Sequence, residues 1–481
     1  MSQKVFGILA LMIVLALVVA GCGATTEPGA TTAPQATTAS GTEATAAPAS
    51  PTPPPVAADE VLIRVWAQAN DVEHWRADNT AKAAELVTDY SVKVQAVNDS
   101  ASWADYKKKF TLAADAGEGP EIVLSGHEDV ATWANAGYIV DFEACKAKYP
   151  EFADVIESLW ESGTWNGTVW AVPQDTEARP MFYSKTKLAE LGWSQEEIDS
   201  LPDRIMNGEF TLDDLIATAK EAVEKGVVEP GYGYWHRNSK GGDFIQYYAA
   251  YGGRIYDEAQ DKLVISKGAL VNFYAFQRRV VEEGITPENF IGTESNIWHD
   301  TVSHDNVLFW NGGVWNWSNW AKNFVAEEGG NDYLFSFIGY ALQPSGIEGQ
   351  PGVTLSHPLV YMITSPKTSG TELYDEACAV LAKTTTPELN TVHAVESTHL
   401  GILKAQAADP TYSEDKLLSE TLYMLDHNFY QPNHVMYTPW FDIVYDGMVK
   451  AEAGEVTPEQ AAEDVVQLLE SEIGDFLIVE E

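Results

Sequence analysis

Val61-Leu62-Ile63-Arg64-Val65-Trp66 is a short apolar run, rich in β-branched and aromatic residues, that predicts a buried strand. The patterns that follow it predict a helix over residues 77–90, a strand over 92–97, a helix over 103–116 and a strand over 121–124. Strands and helices that alternate in this way form βαβ units, because parallel neighbours need a crossover connection. The stretch therefore predicts an α/β fold in which helices cover both faces of a mainly parallel sheet.

Two later segments carry clear helix-start signals. Thr211 stands three residues before Asp214 and opens a run of apolar periodicity that ends by Gly226. Thr457 is followed by Pro458 and by apolar residues at helical spacing. Helices are therefore expected over both segments, the second close to the C-terminus.

The N-terminal 58 residues differ from the rest in composition. Lys4, an apolar run over residues 5–20 and the sequence Val19-Ala20-Gly21-Cys22 match an export signal that ends at a lipid-modified cysteine. We therefore predict a lipoprotein signal peptide over residues 1–21 and acylation of Cys22. Residues 22–58, mostly Ala, Thr, Pro, Gly and Ser after the cysteine, are predicted to form a disordered tether. The folded part is expected at the extracytoplasmic face of a bacterial membrane, periplasmic or at the cell surface, held by the lipid alone.

The size and charge of the remaining chain limit its architecture and partners. Residues 59–481 form a segment too long for a domain with one hydrophobic core, and its length fits two domains. The sequence carries 71 acidic and 29 basic side chains, for a formal net charge of −42. A field of this sign repels nucleic acid and anionic lipid, so neither is expected as a partner.

The three cysteines leave one question of pairing open. With Cys22 assigned to acylation, Cys145 and Cys378 could form a disulfide in an oxidising compartment, or could be independent small core residues. No CxxC spacing is present, and His127-Glu128 lacks a second histidine four residues on. The sequence therefore predicts no metal site.

Polar residues follow several of the predicted strands. Asn70 and Asp71 come after the first strand, His127 and Glu128 after the strand over 121–124, and Glu177 after an apolar run that ends at residue 173. Ligands of open α/β sheets bind at the carboxyl ends of strands. These side chains are therefore candidate ligand contacts.

Five of the fifteen tryptophans fall within 23 residues, at Trp298, Trp310, Trp315, Trp317 and Trp320. Indole faces can stack on sugar rings while carboxylates and amides bind the hydroxyl groups. Packing in the core is an equal alternative for any single ring. As a cluster, the tryptophans predict a carbohydrate-binding platform.

Four blocks of sequence, in order, resemble the family 1 extracellular solute-binding proteins of ABC importers, the family of the maltose-binding protein. The blocks are residues 119–124 with 127–128 and 136–141; 167–173 with Glu177 and 182–185; 309–319, which contains the sequence Gly-Val-Trp-Asn-Trp-Ser-Asn; and 454–461. Together they extend over nearly the whole chain after the tether. On these motifs the chain is identified as a member of the family.

The resemblance implies a type II periplasmic-binding-protein fold of class α/β, with two lobes that each contain a mixed, mainly parallel sheet and are joined by hinge strands. Residues 59–177 plus 344–402 are expected to form the first lobe, and 178–343 plus 403–481 the second. The family binds a sugar or oligosaccharide between the lobes, without chemistry or cofactor, and delivers it to the transmembrane subunits of an ABC permease. We expect the same here, from a monomer.

The resemblance also assigns ligand contacts. Glu128 and Glu177 are expected to accept hydrogen bonds from sugar hydroxyls, and Trp315 to stack on a sugar ring. Trp440 or Phe441 is expected to supply a second aromatic wall. Further candidates, from loop position or from the region of another family contact, are His127, Asn70, Asp71, Tyr232 and Trp235.

One departure from the family pattern leaves the ligand charge open. Arg179, two residues after Glu177, could hold a carboxylate or phosphate in its planar fork, as in a sugar phosphate or uronic acid. His236, Arg237 and Lys240 add positive charge in a nearby segment. Alternatively, Arg179 pairs with Glu177 or another acid close to it.

Two other classes of protein are alternatives to a transport protein. In a cell-surface glycoside hydrolase, Glu128 and Glu177 would serve as the acid and base pair. A hydrolase would not be expected to contain the four blocks of the solute-binding family in this order. The sequence also has no serine elbow, HExxH motif or nucleotide loop. A sensor or adhesion module with the same two lobes is compatible with the sequence.

Overall fold

The computed structural model describes residues 60–481. The predicted signal peptide, Cys22 and tether lie outside the described residues. Between Glu60 and the C-terminus, no helix combines the length and the apolar character that crossing a membrane requires.

The first sheet has five strands in the order β2-β1-β3-β14-β6. These are β1 Val61–Gln68, β2 Val92–Asp99, β3 Ile122–Gly126, β6 Ala171–Pro173 and β14 Leu359–Ile363. β1 pairs in parallel with β2 and β3, whereas β14 is antiparallel to both β3 and β6. All five residues of β3 and of β14 are buried, as expected for central strands with both faces covered.

The second sheet has four strands in the order β12-β7-β11-β8. These are β7 Met181–Ser184, β8 Tyr234–Trp235, β11 Phe309–Asn311 and β12 Ile338–Ala341. β11 and β12 run antiparallel to β7, and β8 runs parallel to β11. This sheet is therefore mixed, with one parallel pair.

Short strands and many helices complete the chain. The other strands are β4 Thr164–Trp165, β5 Thr168–Val169, β9 Tyr256–Asp257, β10 Lys262–Ser266, β13 Thr354–Ser356, β15 Asn428–Tyr430 and β16 Leu477–Glu480. The α-helices are Trp75–Ala84, Trp103–Ala116, Asp129–Asn135, Glu143–Lys148, Lys185–Leu191, Gln195–Asp199, Leu201–Met206, Leu212–Glu224, Ile245–Ala250, Lys267–Glu282, Ser295–Ser303, Asn316–Asn319, Asn331–Phe337, Pro366–Ser369, Tyr374–Thr384, Pro387–Ser397, Pro410–Ser413, Lys416–Thr421, Tyr437–Glu452 and Pro458–Ile473.

Most elements that the sequence predicts are present. The helix predicted over 103–116 is Trp103–Ala116, capped at its start by the side chain of Ser102. The helix predicted from Thr211 is Leu212–Glu224, with a reciprocal capping box between Thr211 and Asp214. The helix predicted over 77–90 is wrong at its end, because it stops at Ala84; the β-branched Val87 and Thr88 that follow favour a turn and the next strand.

Each sheet has its own hydrophobic core. One core packs around the second sheet and extends from Ala178 to Leu477. Two adjacent clusters pack on the first sheet and use residues between Ile63 and Val172 and between Leu359 and Leu403. The type II fold with two α/β lobes is therefore present. The lobe boundaries stay a prediction, and Ala394 and Leu400, assigned to the first lobe, contribute to the second core.

Cys145 and Cys378 form a disulfide in the first core, with their Cα atoms 5.7 Å apart. It joins helix Glu143–Lys148 to helix Tyr374–Thr384, and both cysteines are fully buried. This answers the pairing question that the sequence left open.

Four chain segments lie side by side between the two sheets. β13 pairs in parallel with β15, and the Oγ atoms of Thr176 and Ser356 lie 2.6 Å apart. Thr176 also exchanges backbone hydrogen bonds with Leu400. The segment from Gln174 to Pro180 joins the end of β6 to the start of β7 directly.

Candidate functional site

Polar loops of the first sheet meet at one edge. Gly126 at the end of β3 pairs with Leu359 at the start of β14, and Pro173 at the end of β6 pairs with Val360. The loops next to these strand ends therefore lie side by side along this edge; they contain residues 127–128, 357–358 and 174–177. The corresponding edge of the second sheet contains the start of β7 and the ends of β8, β11 and β12.

Glu128 is half-buried at this edge in a cluster of charged groups. Its Oε1 accepts a hydrogen bond from Lys107 Nζ at 2.5 Å, and its Oε2 lies 2.6 Å from His357 Nε2. Burial opposes ionisation, but His357 and Lys107 hold the pKa of Glu128 well below its usual value. A Cβ at Gly126 would lie 2.2 Å from the Glu128 carboxylate, so glycine is needed there for the side chain to fold back.

Glu177 is paired with Arg179. The Arg179 Nε and Nη2 atoms donate to Glu177 Oε1 at 3.0 and 2.5 Å, and Nη1 lies 2.8 Å from an Asp243 oxygen. Burial raises the pKa of Glu177 to about 7, against the opposing effect of Arg179. The Arg179 guanidinium also lies over the Trp315 ring, 4.7 Å from its centre. Arg179 therefore covers one face of the indole that the sequence predicts for sugar stacking.

A cavity of about 760 Å³ has His127, the neighbour of Glu128, in its wall. Its other walls come from the β4–β5 hairpin, from residues 249–258, which pack on the second core, and from residues 427–433. The aromatic lining residues are Trp165, Tyr256, Phe429 and Tyr430. The polar lining residues include Glu161, Ser162, Thr164, Asn166, Arg254, Glu258, Asn428, Gln431 and Asn433.

Two predicted aromatic contacts are wrong in this structure. Trp440 is completely buried and packs between Tyr437 and Tyr248. Trp235 is also buried, with its ring 4.7 Å from that of Phe290. Neither ring lines the cavity, and both pack against other rings of the second core, so both are core residues in this structure.

The tryptophan cluster is also mostly core. Trp298, Trp310, Trp317 and Trp320 are buried and contact one another or neighbouring rings. Trp315 is the one member that stays partly exposed. The prediction of a platform made by the whole cluster is therefore wrong, and only Trp315 lies where a ligand could reach it.

The remaining candidates lie at the periphery. Asn70 is exposed, and its Oδ1 accepts hydrogen bonds from the backbone of the following turn. Asp71 is exposed and approaches Asn323 Nδ2 at 3.5 Å. Phe441 is half-buried against Tyr437. Tyr232 is half-buried on the second core.

A second buried cluster surrounds Asp175 in the crossing segment. His393 Nε2 lies 3.0 Å from Asp175 Oδ2, and Arg76 Nη2 lies 3.1 Å from His399 Nε2 and 3.5 Å from Asp175 Oδ2. Burial lowers the pKa of both histidines, so they are neutral donors and acceptors here. This cluster ties helix Trp75–Ala84 to helix Pro387–Ser397.

Sequence reasoning missed His357 and the aromatic lining of the cavity. His357 precedes β14, which is antiparallel to β3 and β6, so the start of β14 lies at the same edge as the ends of those two strands. A search for polar residues before strands, as well as after them, would have found it. Trp165 and Tyr256 belong to two-residue strands, which carry little periodicity to detect.

Comparisons with known proteins agree on the family. The family model described as bacterial extracellular solute-binding protein matches residues 75–388. A lipoprotein of Streptomyces antibioticus, encoded 5' to oleD, is 25% identical over 119 residues, which cover 24% of this chain and 26% of that protein.

Two solved structures show the same fold. The GacH receptor of Streptomyces glaucescens, solved unliganded and with acarbose, has a TM-score of 0.70 at 18% identity, over 87% of this chain and 99% of that one. The maltose-bound MalE3 of T. maritima has a TM-score of 0.68 at 19% identity, over 85% and 99% of the two chains. Because the family model covers more than half of the sequence, the chain belongs to the bacterial extracellular solute-binding protein family.

Proposed function

We propose that the protein is the solute-binding component of an ABC importer and that it binds a neutral sugar or oligosaccharide between its two lobes. Family membership supports the binding role. The similar structures were solved with acarbose and with maltose, which supports a carbohydrate as the ligand class. Acylation of Cys22 would hold the protein at the membrane, where the permease could receive the solute.

The main support from this structure itself, as distinct from the comparisons, is the cavity of about 760 Å³. Its volume is typical of small-molecule sites. Four aromatic rings can lie against the C–H faces of sugar rings, while the amide and hydroxyl side chains bind sugar hydroxyls. His127, a predicted contact, is part of its wall. We place the sugar in this cavity.

The charges near the lobe boundary favour a neutral over an anionic solute. Three of the four cations that suggested an anion site already have acidic partners, and the fourth, Arg237, lies over the Trp298 ring, 4.1 Å from its centre. The pairs are Arg179 with Glu177 and Asp243, His236 with Glu452, and Lys240 with Asp442. At these three cations, a phosphate or carboxylate would have to displace an acid.

The predicted contacts Glu128, Glu177 and Trp315 remain part of the proposal as a second region of the same cleft. Both Glu128 oxygens and one Trp315 face have partners within the chain. A sugar that stacks on the covered face of Trp315 must therefore displace Arg179. A sugar that contacts the aromatic rings of the cavity displaces no side chain. We therefore expect these contacts to contribute more to affinity than stacking on Trp315.

The experiment is a thermal-shift screen of the mature chain against neutral oligosaccharides, followed by calorimetric titration of each hit. A ligand that binds only the folded state raises the melting temperature by mass action. We expect Trp165→Ala to weaken binding by about tenfold or more, which corresponds to about 1.4 kcal/mol.

The matched control is Trp193→Ala, because Trp193 is half-buried against Phe210, outside the cavity lining. It should bind the sugar as the wild type does. A uronic acid or sugar phosphate that outcompetes every neutral sugar would contradict the neutral-solute proposal. Release of new reducing ends from an oligosaccharide would favour a hydrolase instead.

A further inference from the structure

We propose that His127, Glu128 and His357 form a binding site for a divalent transition metal of the zinc class. A ring nitrogen of each histidine and a carboxylate oxygen of Glu128 lie within 4.8 Å of one another. Two nitrogen donors and one carboxylate are a common ligand set for zinc, with further positions left for water or another ligand. This inference goes beyond the proposed function, because it concerns an ion and not the sugar.

The orientation of His127 supports the site. Asn433 Nδ2 donates to the carbonyl oxygens of Ser162 and Thr164 at 2.8 and 2.9 Å, so Asn433 Oδ1 faces His127 Nδ1 at 3.1 Å as an acceptor. Nδ1 therefore carries the proton, and Nε2 presents its lone pair. A hydrogen bond from the distal ring nitrogen to a fixed oxygen is the usual support of a metal-bound histidine.

The free nitrogen of His127 is the second, independent observation. His127 is completely buried, and its Nε2 has no hydrogen-bond partner anywhere in residues 60–481. A buried acceptor without a partner is costly, which indicates that something from outside the chain binds it. A metal ion would satisfy it.

Glu128 has one oxygen suited to the metal. Lys107 holds Oε1, whereas Oε2 faces His357 Nε2 at 2.6 Å. The ion would replace the shared proton between Oε2 and Nε2, and binding would release that proton to solvent. Lys107 keeps the carboxylate in place and is also 2.8 Å from Asp129, so its charge is balanced by two acids.

The other group of two histidines and an acid serves as an internal comparison. Asp175, His393 and His399 satisfy the same distance criterion. There, the Arg76 guanidinium lies 3.1 Å from His399 Nε2 and 3.5 Å from Asp175 Oδ2, so a cation already fills the space. We therefore assign the metal to the cluster at Glu128 alone.

The test is a calorimetric titration of the mature chain, stripped with chelator, with Zn²⁺ in the absence of sugar. We expect one high-affinity site per chain, and Co²⁺ in its place should give the visible absorption of a nitrogen- and oxygen-ligated ion. His357→Ala should weaken Zn²⁺ binding by about 100-fold or more, and Asn433→Ala by about 10- to 100-fold through loss of the supporting hydrogen bond.

His304→Ala is the control for surface histidines, because His304 pairs with Asp300 far along the chain from this cluster. It should bind Zn²⁺ as the wild type does, and circular dichroism should show that every variant is folded. Binding that survives His357→Ala and Glu128→Gln, or no binding by the wild type, would overturn the inference. Sugar titrations carried out in the presence of chelator test sugar binding without the metal. The sugar proposal and the metal proposal can therefore fail independently of each other.

Discussion

Arg179 links two predicted ligand residues, Glu177 and Trp315. Its guanidinium contacts the Glu177 and Asp243 carboxylates and covers the Trp315 ring. All three charged side chains are buried. Removing one partner from a buried ionic group is more costly than removing an exposed pair, because the remaining charges stay without solvent. Arg179 is therefore both a source of local stability and an obstacle to ligand stacking on Trp315.

We expect Arg179→Met to lower the free energy of unfolding by about 3–5 kcal/mol at pH 8, because Glu177 and Asp243 lose their partner. Burial already raises the pKa of Glu177 to about 7, so at pH 5 this group is protonated and needs the guanidinium less. The loss should therefore be smaller at pH 5 than at pH 8. Urea denaturation at both pH values measures it.

Arg204→Met is the matched control, since Arg204 lies over the rings of Trp193 and Phe210, away from the buried acids. Its cost should not change between the two pH values. An Arg179→Met cost that is equal at pH 5 and pH 8 would show that Glu177 stays ionised across this range.

Single residues also show why the site was only partly predictable. The loops that hold Glu128 and Glu177 follow from strand order, and the structure places both at the predicted sheet edge. Burial of an individual ring depends on packing between distant segments. Trp315 and Trp317 are two residues apart, yet one is partly exposed and the other is in the core.

At the level of elements, helix Asn316–Asn319 depends on a loop that the sequence did not single out. Thr398 has a left-handed backbone with φ of 53°. Its hydroxyl donates to the Val314 carbonyl at 3.0 Å and accepts from the Ser318 backbone N–H at 3.2 Å. This one side chain therefore fixes both ends of the short segment that presents Trp315.

We expect Thr398→Ala to lower the free energy of unfolding by about 1–3 kcal/mol, because two buried backbone groups lose a partner while the strained backbone remains. Thr398→Ser keeps the hydroxyl and should stay within about 0.5 kcal/mol of the wild type. Denaturant melts of the two variants provide the measurement. Equal losses in both would assign the effect to the Thr398 methyl group and not to the hydroxyl.

The elements that the sequence predicted well are those with strong local signals. Capping residues marked the helices that begin after Thr211 and Thr457, and the structure has both. Strands of two or three residues, such as β8 and β11, take their form from neighbours in the sheet and left no local pattern. The second sheet could therefore be expected only from the resemblance.

For the whole molecule, two cores give two bodies that need not unfold together. The first core contains the disulfide between Cys145 and Cys378. The second contains most of the large buried rings. The crossing segments that join them are short. A change confined to one core should therefore affect its own sheet more than the other.

We expect replacement of both Cys145 and Cys378 by alanine to lower the stability of the first core by about 2–5 kcal/mol, because the unfolded chain regains the freedom of a long loop. Hydrogen exchange read by mass spectrometry should show faster exchange in β1 and β3, with β7 and β11 unchanged. Wild-type protein treated with reductant is the control and should give the same pattern. Equal acceleration in both sheets would mean that the two lobes unfold as one cooperative unit, and sugar binding would then stabilise them together and not lobe by lobe.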